Sequence, residues 1–104
     1  MDHIVELQLI VDALNGLPED TYTARDWQRK LVDFFNSSDN MRYLEPAENE
    51  AKGRAVGKLI HGKWLSRRDE QYIQFIGDKW DIIRDELRGF GQFKKQMDYI
   101  LEDF

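Results

Sequence analysis

The sequence predicts a mainly α, single-domain protein of about five helices. Apolar residues recur every three or four positions along most of the chain, which is the spacing of one helix face. Ser, Thr, Pro and Gly stand where helices of that pattern would start and stop. The 104 residues contain no internal repeat or linker, so residues 1–104 are expected to form one small helical domain.

The first two helices are predicted on either side of a turn at residues 15–20. Gly16 is a stop signal for the first helix, and Thr23 with Asp26 three positions later resembles a capping box that starts the second. The apolar face of the first helix is Ile4, Leu7, Ile10, Val11 and Leu14. The second helix reaches about Asn36 and is lined by Ala24, Trp27, Leu31, Phe34 and Phe35.

A polar connection at residues 36–46 precedes the third helix. Pro46 suits the first turn of that helix, which is predicted to end at about His61. Its buried arc would consist of Ala51, Ala55, Val56, Leu59 and Ile60. Gly53 and Gly57 each weaken the helix by up to about 1 kcal/mol relative to Ala, so tertiary contacts must hold it.

Residues 64–89 admit two interpretations. As a helix, the segment has Ser66 as its N-cap, Asp69 at the third position and Gly89 as its stop. As a β-hairpin at about 64–83, two short runs would flank a turn at Gly77 and Asp78. We favour the helix because it covers more residues and has signals at both ends. Its apolar stripe would be Tyr72, Ile76, Trp80, Ile83 and Leu87.

A last helix is predicted from Gln92 to Phe104. Its apolar face consists of Phe93, Met97, Ile100, Leu101 and Phe104. This face would either close the core or form a surface for a homodimer or another partner protein, since Met adapts readily at interfaces.

Composition narrows the class of protein. The chain has a formal net charge of -5 and no cysteine, which excludes disulfides and thiolate metal sites and fits a reducing compartment. The N-terminus lacks the cationic start of a signal peptide, and no run reaches the ~20 apolar residues of a membrane span. We therefore expect a cytoplasmic protein, and we count all three Trp residues toward the core.

Positive charge is concentrated in one segment. Residues 51–68 hold six of the 15 Lys and Arg and none of the 20 Asp and Glu, so the other nine basic residues leave the remainder at -11. At 100° per residue, Gly53, Gly57 and three potential cations share the outer face of the third helix. The six candidate nucleic-acid-binding residues are Arg54, Lys58, His61, Lys63, Arg67 and Arg68. We expect them to converge on one patch without carboxylates, whereas Lys52 points toward the buried arc with its ammonium group reaching solvent.

The order of these parts resembles helix-turn-helix and winged-helix DNA-binding domains. A first helix, a short second helix and a basic third helix followed by "HGKWLSRR" match that arrangement over about residues 3–83. The resemblance implies that the third helix is a recognition helix and that a hairpin after it would be the wing. The connection of about ten residues between helices two and three departs from the usual turn of three or four.

No pattern of catalytic, cofactor or metal-binding residues is present in the sequence. "GRAVGK" lacks the spacing and the Ser or Thr of a phosphate-binding loop, and His3 and His61 are the only histidines. Acid pairs such as Asp69 and Glu70 are expected on exposed faces rather than in acid–base catalysis. We therefore expect no enzyme activity, cofactor or metal.

Two functions remain open. The first is a domain that binds duplex DNA through the six basic residues, as a regulator or in replication or mobile-element biology. The second is an acidic helical adaptor or inhibitor that binds another protein rather than nucleic acid.

Overall fold

The computed structural model describes residues 2–17 and 25–102, with side chains for 2–17 and 29–101. Five α-helices lie in these ranges: α1 (Leu7–Asn15), α2 (Arg25–Phe35), α3 (Pro46–Ile60), α4 (Arg67–Ile83) and α5 (Gly91–Glu102). The prediction of a mainly α fold is therefore confirmed. The expected N-cap at Thr23 with Asp26, and the apolar contributions of Ala24, Trp27 and Phe104, lie outside the described residues and side chains.

The buried side of α1 agrees with the predicted face only in part, since Ile10 is buried and Leu14 packs against the core as predicted. Leu9, Ile10 and Ala13 are buried, whereas Leu7 and Val11 are exposed. Six of the nine residues of this helix are apolar, and they lie on more than one side of it, so helical spacing alone does not identify the inner face. Packing against α3 and α5 selects it.

The connection between α2 and α3 is more ordered than the sequence indicated. It contains a 3₁₀ turn at Ser38–Asn40 and a strand, β2 (Met41–Arg42), which pairs antiparallel with β1 (Asp2–His3). Asn40 is fully buried, and its side-chain amide group bonds the backbone N–H of Val5 at 2.8 Å and the carbonyls of Val5 and Phe35 at 3.0 and 2.9 Å. This residue fixes the N-terminal segment and the end of α2 to one another.

Lys52 holds the same N-terminal segment against α3. Its side chain is only 1% exposed, and its ammonium group donates to the carbonyls of His3 and Ile4 and lies 3.4 Å from Glu6 Oε1. The Lys52 side chain points toward the interior, as predicted, but the expectation that its ammonium group reaches solvent is wrong. Burial lowers the pKa of Lys52, and the Glu6 carboxylate opposes that shift.

Residues 67–83 form one continuous helix, so the hairpin interpretation of 64–83 is wrong and the favoured helical interpretation is confirmed. The predicted capping box at Ser66 and Asp69 is also present. The helix ends before the expected stop, because a 3₁₀ turn at Arg84–Glu86 follows it and carries Leu87 into the core. Gly89 lies in the next turn with φ +86°.

One hydrophobic cluster joins all five helices. Helix α3 packs mainly on α4 and α1 mainly on α5, and contacts of α1 with α3 and of α4 with α5 complete a ring of four helices. At its centre the rings of Phe35, Trp80 and Phe93 lie with centroids 6.0 to 6.2 Å apart. Phe93, Met97 and Leu101 are buried in this core, so the face of α5 that we considered for a dimer is used within the chain.

Candidate functional site

The outer face of α3 carries the first part of the basic segment. Arg54 and His61 are exposed on this face, two turns apart. A Cβ atom added at Gly57 would meet nothing within 4 Å, and one at Gly53 would meet only Glu6 Oε1 at 3.8 Å. Close helix packing therefore does not require glycine at 57, and the backbone there is open to an approaching molecule.

Lys58 is the first candidate residue whose charge is already used. Its Nζ lies 2.8 Å from Asp69 Oδ2, at the start of α4, and its side chain is 41% exposed. The hydrogen bond from Lys58 and the one from the Ser66 backbone N–H lower the pKa of Asp69 to about 2. We expected an exposed carboxylate at position 69, but the capping box and this ion pair keep it buried.

The turn after α3 points its side chains outward. Gly62 adopts φ +66°, a conformation that favours glycine, and the Lys63 N–H donates to the Lys58 carbonyl at 2.8 Å. Lys63 and Trp64 follow, and the Trp64 side chain is 83% exposed. We had counted Trp64 toward the core, which is wrong. In the sequence, Trp64 stands between the basic residues Lys63 and Arg67, and this charged context was the signal that its side chain lies on the surface.

Trp64 borders a shallow groove between the α3–α4 turn, α1 and α5. The groove has a volume of about 450 Å³ and is lined on one side by the exposed Tyr99. Asp12, Lys63 and Glu70 also contribute to its lining. The surface near Trp64 is therefore aromatic and of mixed charge, and it is less basic than the sequence of residues 51–68 indicates.

Arg68 lies in a different place from the other candidates. Its guanidinium carbon is 6.0 Å from the centroid of the Tyr72 ring, and Arg42 is placed similarly over Phe75 at 5.9 Å. Both arginines line one groove together with Lys52, whose direction from α3 is opposite to that of Arg54. The expectation that six cations converge on one patch is therefore wrong for Arg68. Lys58 adds no free charge to the patch, because Asp69 neutralises it.

The other four candidate residues are all exposed, and they lie on the outer face of α3, in the turn after it and at the start of α4. Among the side chains of residues 2–17 and 29–101, Arg54, His61, Lys63 and Arg67 form no ion pair. We call these four residues and Trp64 the α3–α4 corner. Glu50 lies one turn before Arg54 on the exposed side of α3, so an acidic side chain limits the patch at that end.

In the described part of the chain, no three His, Asp or Glu side chains are grouped so that they could hold a metal ion. None of the helices there has both the length and the apolar character needed to cross a bilayer.

Comparison with known protein families, with curated proteins and with solved structures gives no significant match, so this chain is assigned to no family.

Proposed function

We propose that the protein binds nucleic acid through the α3–α4 corner. The observation that carries this proposal is the exposed Trp64 beside Lys63 and Arg67, which have no acidic partner among the described residues. An aromatic side chain held in solvent next to free cations is the combination that binds a base and its phosphates together.

Each corner residue has a role in this proposal. Arg54, Lys63 and Arg67 contact phosphates, and His61 donates a hydrogen bond to the same backbone. Trp64 stacks on a base. The open backbone at Gly57 allows a strand to approach α3 closely.

Stacking on Trp64 requires a base face that a continuous duplex does not offer, so we propose single strands, unpaired ends and loops as the preferred target. Docking as a helix-turn-helix or winged helix is not part of the proposal. Residues 36–45 separate α2 from α3, and residues 67–83 form a helix where a wing would require strands.

The free cations also set the expected salt dependence. Three neutralised phosphates on a single strand give a slope of log affinity against log salt of about -2. Asp12 and Glu70 line the neighbouring groove and reduce the attraction further. Binding is therefore expected to be weak at physiological salt and sequence-independent.

Fluorescence anisotropy with labelled dT20 and a 20-base-pair duplex, measured between 20 and 200 mM salt, tests the proposal. We expect tighter binding of dT20. Trp64→Ala should weaken dT20 binding by about 5- to 150-fold, the loss that corresponds to one stacked base. The double change Arg54→Ala with Arg67→Ala should weaken binding of both nucleic acids and flatten the salt slope.

Arg88→Ala is the matched control, since Arg88 is an exposed arginine outside the corner. All four positions changed are on the surface, and circular dichroism of each variant verifies folding. No binding of dT20 at 20 mM salt, or equal affinity of the wild type and Trp64→Ala, would exclude this function.

Binding of another protein is the second candidate. The observation that favours it is the separate groove that contains Arg42 and Arg68, on a different side of α3 from the corner.

A further inference from the structure

The groove that contains Arg42 and Arg68 has no role in the proposed nucleic-acid site. It lies between the end of β2 and one side of the α3–α4 pair and has a volume of about 320 Å³. We call it the arginine groove. Its lining residues are Arg42, Leu44, Glu48, Lys52, Arg68, Gln71, Tyr72 and Phe75.

Two arginines in this groove are positioned by aromatic rings. Arg42 lies over Phe75 and Arg68 over Tyr72, with distances of 5.9 and 6.0 Å to the ring centroids. Neither arginine forms an ion pair with any described residue. A cation–π attraction at this distance does not use the guanidinium N–H groups, and such groups can hold a carboxylate through two hydrogen bonds.

The other charges of the groove limit what it can accept. Lys52 lies in the lining, but its ammonium group is occupied by two backbone carbonyls and Glu6. Glu48 contributes one carboxylate. The two free guanidinium groups therefore face a single acid, which leaves about one net positive charge for a ligand.

The apolar part of the lining indicates more than a simple anion. Leu44 and the rings of Tyr72 and Phe75 contribute apolar surface beside the guanidinium groups. A phosphodiester chain has no apolar group for this surface, and Glu48 would repel its successive charges. A peptide that has one carboxylate next to an apolar side chain is complementary to both features.

The groove also continues along α4. Arg42 and Phe75 are shared with a neighbouring depression of about 440 Å³, whose lining includes Met41 and Ile82. Asp39, Asp78 and Lys79 also line it, so this part of the surface accepts apolar side chains and would repel a second carboxylate. From Arg68 to Ile82 the helix rises about 20 Å, the length of roughly six residues of extended chain. Ile82 is 72% exposed, so an apolar contact is available at the far end.

We propose that the arginine groove binds an extended peptide segment of a partner protein that has one carboxylate, held by Arg42 and Arg68, and apolar side chains that pack against Tyr72, Phe75 and Ile82. This site is independent of the α3–α4 corner, and neither proposal requires the other.

The probe is a fluorescein-labelled, N-acetylated and C-amidated octapeptide of Leu and Ser with a single central Asp (the Asp–Leu peptide), and its matched control has Asn in place of that Asp. Anisotropy at 50 mM salt should show at least tenfold tighter binding of the Asp–Leu peptide to the full chain. Arg42→Gln and Arg68→Gln should each remove most of that difference. Arg88→Gln, an exposed arginine elsewhere, should leave it unchanged.

Binding of dT20 to the same variants separates this site from the proposed nucleic-acid surface. We expect Arg42→Gln and Arg68→Gln to leave dT20 affinity within twofold of the wild type. Equal affinity for the two octapeptides, or no binding of either, overturns the proposal. A loss of dT20 binding in both groove variants without peptide binding also overturns it, because the groove would then be part of a nucleic-acid surface.

Discussion

Lys58 Nζ lies 2.8 Å from Asp69 Oδ2, and this contact joins the last turn of α3 to the first turn of α4. Asp69 also accepts the Ser66 N–H at 2.9 Å and returns a backbone N–H to Ser66 Oγ at 3.1 Å. One carboxylate therefore caps α4 and binds a cation of α3. The contact also explains why Lys58 does not belong to the free charge of the basic segment.

A double-mutant cycle should measure this coupling. Lys58→Met and Asp69→Ala remove the two partners, and we expect a coupling free energy of about 1 kcal/mol, since the pair is only partly buried. Asp69→Ala alone should cost more than Lys58→Met, because it also removes the cap. Urea denaturation of the four proteins gives the values. Strict additivity of the two single changes would contradict a direct interaction.

Acid should weaken the fold through Asp69. Its pKa is about 2 in the folded chain against an ordinary value of 3.8, so the unfolded chain takes up the proton first as pH falls. The stabilisation is complete above about pH 5 and is lost progressively between about pH 4 and 2. The expected loss is about 1–2 kcal/mol, reduced by the exposure of Lys58.

Urea denaturation at pH 5, 4 and 3 measures this loss. Asp69→Asn should flatten the decrease in stability over that range. The matched control is Asp85→Asn, because the Asp85 side chain is 86% exposed and its contact with Arg84 is 3.7 Å. A decrease of the same slope in Asp69→Asn and the wild type would show that other groups carry the acid sensitivity.

Lys52 should be more important for stability than any cation of the corner. Lys52→Met keeps the length of the side chain but leaves two backbone carbonyls without this donor and the Glu6 carboxylate without its cation, although Gln8 still donates to Glu6. We expect a loss of about 3 kcal/mol in the free energy of unfolding. Adding Glu6→Gln should recover part of it, since the uncompensated charge is then removed. A neutral effect of Lys52→Met in chemical denaturation would contradict this assignment.

Asn40→Ala should destabilise the attachment of the N-terminal segment. The change removes three hydrogen bonds to buried backbone groups of Val5 and Phe35, at an expected cost of about 2–4 kcal/mol. Asn15→Ala is the control, because Asn15 is exposed at the end of α1. Hydrogen exchange should show faster exchange of the Val5 amide in Asn40→Ala. Unchanged protection there would mean that the side chain is dispensable.

Gly57→Ala separates the stability of α3 from its binding role. Alanine should stabilise the helix by up to about 1 kcal/mol, since the added methyl group meets no neighbour. The same methyl group should hinder a strand that approaches the backbone, so dT20 affinity should fall severalfold. Gly77→Ala is a close control, because it is also an open glycine inside a helix, but it lies away from the corner. Equal dT20 affinity of both variants would exclude close approach at position 57.

Helical periodicity and cap residues alone determined most of the secondary structure. Pro46 begins α3 and Ser66 with Asp69 begins α4, as local chemistry requires. These features depend on neighbours within four residues along the chain, so one sequence is enough to predict them. The β1–β2 pair was not predicted, because its two strands have only two residues each and are brought together across 35 intervening residues or more.

The tertiary structure decided which of these residues are free to function. Asp69 and Lys58 neutralise one another, Lys52 is buried, and Arg68 lies beside Arg42 instead of beside Arg54. Each outcome depends on contacts between different segments of the chain. The charge pattern of residues 51–68 does not predict these contacts. The sequence determined that positive charge is concentrated near the α3–α4 turn. Because the free energy of a charge depends on its partners and its burial, only the folded chain decided that this charge divides between a corner and a groove.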